Sequence, residues 1–317
     1  MDADRAKACS EFCLIRVHPG KSAANSFCVP LALSVFIGLF PLLSVSKNEA
    51  KFSDVYSAAA HCIAASDPAE KLRLTHAAAA AFRAGELAVP EDAPAPADIG
   101  APGRPERPRL VLPREVPQRG LGSVEGRAAF LHAIAHIEFN AVNLAWDAVY
   151  RFRGMPHAYY ADWVGVADDE ARHFAMLSAR LEELGFAYGD FDAHNGLWEM
   201  AEKTADSGLR RMALVPRVLE ARGLDVTPGM IARLRSNGDP ASADILEVIL
   251  SEEVAHVAAG TRWYHWHCER AGLSPGREFI RLVRETVRGG MRGPFNRPAR
   301  LAAGFEEDEI RSLETME

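Results

Sequence analysis

The sequence has no Cys-x-x-Cys pair, and its five cysteines (Cys9, Cys13, Cys28, Cys62 and Cys268) are odd in number. These absences exclude a zinc ribbon and argue against a disulfide framework, so a reducing, cytoplasmic compartment is the simpler setting. There is no Gly-rich nucleotide loop, no Ser-His-Asp arrangement and no flavin fingerprint, which removes the common nucleotide-dependent and nucleophilic chemistries. Positive charge is short as well. A formal net charge of -7 over 317 residues gives no global reason to expect a nucleic acid or another strongly anionic partner. Beyond Gly122 no stretch alternates apolar and polar residues as a strand would. What is present is 48% hydrophobic residues, enough for a substantial core, carried in long helical periodicities.

The chain divides by texture. Residues 1–50 hold an apolar run, Phe27 to Val45, preceded by Arg5, Lys7, Arg16 and Lys21. Contact with a membrane, by anchoring or export, is expected only through residues 27–45. Pro30, Gly38 and Pro41 and a length at the lower edge of a spanning helix count against it. Residues 51–88 are rich in alanine, with Asp67-Pro68-Ala69-Glu70 as a helix start and Leu72, Leu74, Ala78 and Phe82 as apolar positions, which predicts a helical hairpin. Residues 89–122 form a linker punctuated from Pro90 to Pro117; proline lacks the amide donor of a sheet and cannot continue a helix, so a strap across the surface is expected.

Residues 123–272 supply four long helices. The first spans 124–153, capped by Ser123 and ended before Gly154-Met155-Pro156, and the second spans 157–184. A helical segment at 196–206 leads into the third, which Gly223 and Pro228 are expected to interrupt before it resumes over 228–236. After the turn at Asn237-Gly238-Asp239-Pro240 the fourth spans 240–271 and stops at Gly272. Residues 273–317 make a C-terminal helical extension.

Two of these helices carry the same motif. Glu170-Ala171-Arg172-His173 lies on the second and Glu253-Val254-Ala255-His256 on the fourth. Positions i and i+3 share a helix face, so each copy presents a carboxylate and an imidazole to one point. Lone carboxylates on the other two helices complete the pattern: Glu138 on the first and Glu220 on the third. Glu199 and Glu202 compete with Glu220 if the third helix is drawn differently. Spacing agrees, since 32 residues separate Glu138 from Glu170 and 33 separate Glu220 from Glu253. With a turn midway in each hairpin, all four carboxylates reach about the same height, on the order of 20–25 Å from the turns. Four glutamates and two histidines on four helices are the donor set of a paired-metal carboxylate site, and this set suits two Fe ions, or Mn or a mixed Fe/Mn pair, better than zinc. Without cations, burying four carboxylates is strongly unfavourable.

The remaining candidates read as support or packing. Asp169 and Glu252 each precede a motif glutamate and point elsewhere, as exposed or supporting groups. His132 and His136 fall off the Glu138 face, and Trp263, His265, Trp266 and His267 lie two to three turns beyond the site. Arg277, Arg281, Arg284, Arg288, Arg292, Arg297 and Arg300 form a basic stretch whose expected role is solvation or pairing with acidic helices, rather than nucleic-acid contact.

On His136-Ile137-Glu138, Asp169 to His173, Met212 to Asp225 and Ile249 to His256, the sequence resembles the ferritin-like superfamily, and within it the domain-of-unknown-function family 455, from about residue 60 to the end. The resemblance implies an all-α, ferritin-like four-helix bundle with an N-terminal hairpin and a C-terminal extension, and a di-metal site, while its likeness to tRNA-hydroxylating di-iron proteins is one of fold alone. The expectation is an oxidoreductase that activates dioxygen against an organic substrate, small or tRNA-like, with electrons from a partner protein. Ferroxidase or metal-storage activity is the rival, although the strap and the hairpin would obstruct a compact cage. A bundle with a vestigial site is the third reading.

Overall fold

A computed structural model describes residues 52–287 and 290–316. Among them the protein is all-helical, and its one strand-like feature is an isolated bridge between Leu110 and Ala193. No described helix is long and apolar enough to cross a membrane, and the apolar run at 27–45 lies outside the described residues.

The N-terminal hairpin is α1 (Val55–Ala64) and α2 (Pro68–Arg83). Asp67 caps α2 by accepting the Glu70 amide, with Pro68 in the first turn where its missing N–H costs nothing. Lys71 of α2 fastens the hairpin: its buried Nζ donates to the carbonyls of Cys62 (2.6 Å) and Ile63 (3.0 Å) at the end of α1, and to Asn143 Oδ1 (2.7 Å) of the following long helix. One ammonium thus satisfies orphaned terminal carbonyls of α1 and a buried amide at once.

That long helix is α3 (Val124–Arg151), capped by Ser123, and it turns through 152–156 into α4 (His157–Glu183). The strap between α2 and α3 is helical only at Pro113–Glu115, and it is stitched down where Arg109 and Val111 exchange backbone hydrogen bonds with Ala193. After α4, α5 (Gly196–Lys203) precedes α6 (Gly208–Leu214), a π-helical turn (Val215–Glu220) and α7 (Ala221–Ser236). Then come α8 (Pro240–Ala271), closed by left-handed Gly272, and α9 (Pro275–Thr286), α10 (Arg297–Ala302) and α11 (Glu307–Glu314).

The third long helix differs from the expectation. Gly223 and Pro228 do not interrupt it, and Gly208–Ser236 runs on without a break. Proline at 228 removes the donor owed to the Leu224 carbonyl, four residues back. Asn296, from the start of α10, supplies it instead through Nδ2 at 3.0 Å. The irregularity sits upstream, where Pro216 likewise lacks an amide and the helix widens, with the Ala221 N–H reaching back five residues to the Pro216 carbonyl.

Residues 121–249 of α3, α4, α7, α8 and their approaches contribute a lower hydrophobic cluster that includes Leu131, Phe139, Leu177, Leu234 and Leu246. A larger cluster above it joins the hairpin, the upper parts of α3, α4 and α8, α5, α6 and the C-terminal helices. On α3 one cluster gives way to the other between Phe139 and Val142, and on α4 between Ala171 and Phe174, beside Glu138, Glu170 and His173.

Candidate metal centre

Thirteen residues separate Glu138 from the end of α3 at Arg151, and thirteen separate the start of α4 at His157 from Glu170. Across an antiparallel hairpin that equality sets the two carboxylates at one height. Glu138, Glu170, His173 and Glu253 each bring a donor atom to within 4.8 Å of the others. His256 joins them, with Nδ1 at 3.1 Å from Glu170 Oε1 and 3.3 Å from Glu253 Oε1. Glu220 enters from the π turn. Its Oε2 is buried without a hydrogen-bond partner, and it feels the charges of Glu253, Glu170 and His256. Five of the sequence candidates therefore meet at one locus, and Glu220 lies within electrostatic reach of it, while Glu202 is exposed and Glu199 belongs to α5.

The imidazoles are held from outside by exchanged partners. His173 of α4 donates Nε2–H to Glu252 of α8 at 2.6 Å, and His256 of α8 turns Nε2 to Asp169 of α4 at 3.3 Å. Arg172 closes the outer ring by donating to both Asp169 (2.8 Å) and Glu252 (2.7 Å). With Nε2–H committed, a neutral ring offers the lone pair of Nδ1 to the interior. Nδ1 of His173 lies 3.5 Å from Glu138, 3.4 Å from Glu170 and 3.8 Å from Glu253. A lone pair aimed at carboxylate oxygens is repulsive unless a proton or a cation lies between them.

The titration behaviour expresses the same conflict. Burial, and then the Glu170 charge, push Glu138 well above the carboxylate range; burial and the charges of Glu253 and Glu170 do the same to Glu220. Burial with the Glu170 charge also raises Glu253. For Glu170 burial acts upward too, but the close approach of Glu138, His173 and His256 outweighs it and holds this carboxylate low. Burial opposes charge on His173, yet its contacts with Glu138 and Glu170 carry it up to about 11, and His256 is raised well above its usual value in the same way. The raised groups all ask for positive charge among these carboxylates, which protons or cations can supply.

That donor chemistry fits a metal pair. Glu170 Oε2, His173 Nδ1 and Glu220 Oε2 are buried polar atoms with no hydrogen-bond partner, all belonging to the six candidates. Open carboxylate and imidazole donors without thiolate suit iron or manganese.

Several of the other sequence candidates have structural partners, although Nε2 of His265 and of His267 is buried without a hydrogen-bond partner. His132 Nε2 accepts the Gly189 amide and its ring stacks on Tyr188, while His136 contacts the Tyr188 hydroxyl and the His194 carbonyl. Burial pushes the two histidines down to about 4 and about 3, so both stay neutral. Trp263 donates to Asp162. In the basic stretch, Arg281 pairs with Glu278 and Glu285, Arg297 with Glu307 and Glu314, and Arg300 with buried Asp225; Arg288 lies outside the described residues. Sequence reasoning missed Arg172, whose only signal is its place inside the first motif, facing an acid that precedes the second.

A family model described as a protein of unknown function (DUF455) matches residues 64–311. A relative from Haemophilus influenzae, described as an uncharacterized protein, is 46% identical over 213 residues, covering 65% of this chain and 74% of that protein. No solved structure matches the chain.

Proposed function

The chain belongs to the DUF455 family, whose description assigns no activity, and we propose from its own residues that it is a di-metal carboxylate protein acting as a dioxygen-dependent oxidoreductase. In this reading the long helices form a ferritin-like four-helix bundle. Glu138, Glu170, His173, Glu220, Glu253 and His256 hold two iron ions, with manganese or a mixed pair as the alternative. The observation that carries it is the aim of the two Nδ1 atoms at two shared carboxylates, Glu170 and Glu253, with Glu138 beside His173, each ring fixed from behind by an acid of the opposite helix.

When bound in the reduced state, such a pair supplies the electrons and Lewis acidity for dioxygen chemistry on an organic substrate. The chain contributes the rest. Glu252 and Asp169 hold the imidazoles in the tautomer that leaves Nδ1 free. The apolar layers above and below the site keep bulk water from the carboxylates. Glu253, whose side chain is 13% exposed against 1% for Glu170, gives the cluster its most open side and the natural approach for substrate. Further electrons are drawn from a donor protein, and the free buried thiols of Cys62 and Cys268 fit a reducing, cytoplasmic setting.

Substituting Glu170→Gln and Glu253→Gln together tests the reading. Retained helicity with loss of iron and manganese uptake is the expected result; undiminished uptake would place the metals elsewhere and refute it.

A further inference from the structure

The turn that delivers Glu220 is irregular, and it carries one member of a buried ion pair. Arg217, in the middle of the π turn, is fully buried. Its Nη2 donates to Glu309 of α11 at 2.8 Å, and its guanidinium lies 4.6, 4.2 and 4.4 Å from the ring centres of Tyr264, Phe279 and Phe305. Nε and Nη1 have no hydrogen-bond partner. Burying an ion pair in this way is poor value for stability, because apolar residues of similar volume do as well or better. A directional contact fixes position in a way that apolar packing does not.

The downstream side is fixed by the same segment of chain. Arg300 donates Nε and Nη2 to Asp225 at 2.9 and 2.8 Å, with both side chains fully buried. The Asn296 amide also donates to Asp225 (2.9 Å), and its side chain serves the Leu224 carbonyl freed by Pro228. Glu220 thus lies three residues after one anchor and five before the other. Position matters here because a helix turns about 100° per residue. If the extra residue of the π turn slipped along the helix, Glu220 would swing off the cluster.

We propose that α9, α10 and α11, with Asn296, form a clamp that sets the position of Glu220, with Arg217 as the positioning residue, and that metal occupancy of the half-site formed by Glu220, Glu253 and His256 depends on it. The inference rests on the di-metal reading above.

The test titrates Mn2+ into the full-length protein, with bound and free ion distinguished by electron paramagnetic resonance. Wild type should take up two ions per chain, and Glu220→Gln should weaken the second about tenfold or more. The charge-balanced pair Arg217→Met with Glu309→Gln removes both partners of the buried ion pair and so avoids a lone buried charge. It should weaken the same ion to the same degree, and adding Glu220→Gln to it should cause no further loss, since the anchors act only through that carboxylate. The milder Asn296→Ala, which removes the side-chain bond to the Leu224 carbonyl and so loosens the downstream anchor, should shift the same ion in the same direction. A merely structural role predicts a lower melting temperature with both affinities unchanged, and that result overturns the clamp. Losses that multiply when Glu220→Gln is added, or no loss from Glu220→Gln alone, also overturn it while leaving the di-metal reading in place. A wild type that takes up no Mn2+ refutes the reading itself, and the clamp with it.

Discussion

Glu252 of α8 accepts a hydrogen bond from Nε2 of His173 on α4 at 2.6 Å, across 79 positions of sequence. Its counterpart runs the other way, from His256 of α8 to Asp169 of α4. Each helix therefore provides an inward Glu and His and also the outward acid that orients the other helix's His. Neither motif is complete alone.

Removing these outer acids should loosen the metals without dismantling the helices. Glu252→Gln is expected to lower metal affinity by roughly 10–100-fold, the usual loss when the group behind a ligating imidazole is changed. Competition against a chelator measures it. An affinity equal to wild type would show that the hydrogen bond has no part in the site.

Burial and the neighbouring Glu170 charge raise Glu138 well above the carboxylate range in the metal-free protein, which favours its protonated form. Glutamine closely matches that protonated form. Glu138→Gln should accordingly leave metal-free stability within about 0.5 kcal/mol of wild type while abolishing the rise in melting temperature that added iron produces. Denaturation with and without metal reads both quantities.

The pH dependence has a definite sign. His173 is burdened by burial, but its contacts with Glu138 and Glu170 raise it to about 11 in the folded protein, against roughly 6.5 unfolded. Its contribution is fully present below pH ~6.5 and is lost as pH rises through about 11. Glu138 and Glu220, raised by burial, act in the same sense: the folded state binds their protons more tightly, so stability falls as pH climbs above the ordinary carboxylate range. The metal-free protein should therefore weaken with rising pH, whereas metal affinity should increase, because binding expels these protons. Proton release on metal binding, read by calorimetry in buffers of different ionisation enthalpy, checks the second half.

Gly260 lies one turn beyond His256, against the π turn. A Cβ there would stand 2.2 Å from the Pro216 ring. Gly260→Ala should cost about 1–3 kcal/mol by overpacking and push the π turn away from α8. Thermal denaturation measures the first effect, and weakened metal binding reports the second.

The features legible in the sequence were those encoded locally. Ser123, Asp67 and Gly272 mark helix ends at or near the observed ones, and the paired Glu-x-x-His motifs lie together with Glu138 in the structure. Features encoded at long range were not legible. Pro228 reads as a break because the donor that replaces its amide comes from Asn296, 68 positions away in the chain. The π turn is hidden for a related reason: Pro216 marks a disturbance, but the residues that settle its form are Gly260, Glu309 and the rings around Arg217. The arginines of the C-terminal stretch look like one basic patch in sequence, yet Arg300 is a buried partner of Asp225 and Arg281 a surface partner of its own helix.

The central claim is that these six residues hold two metal ions, and metal analysis of protein purified without oxygen tests it most directly, with the absorption spectrum recorded before and after oxygen is admitted. The account predicts about two iron ions per chain, by the stoichiometry of paired carboxylate sites, and an oxygen-dependent change in the spectrum. Protein that holds no iron or manganese, even after reconstitution with either, would contradict it and leave a helical scaffold whose buried carboxylates are neutralised by protons alone.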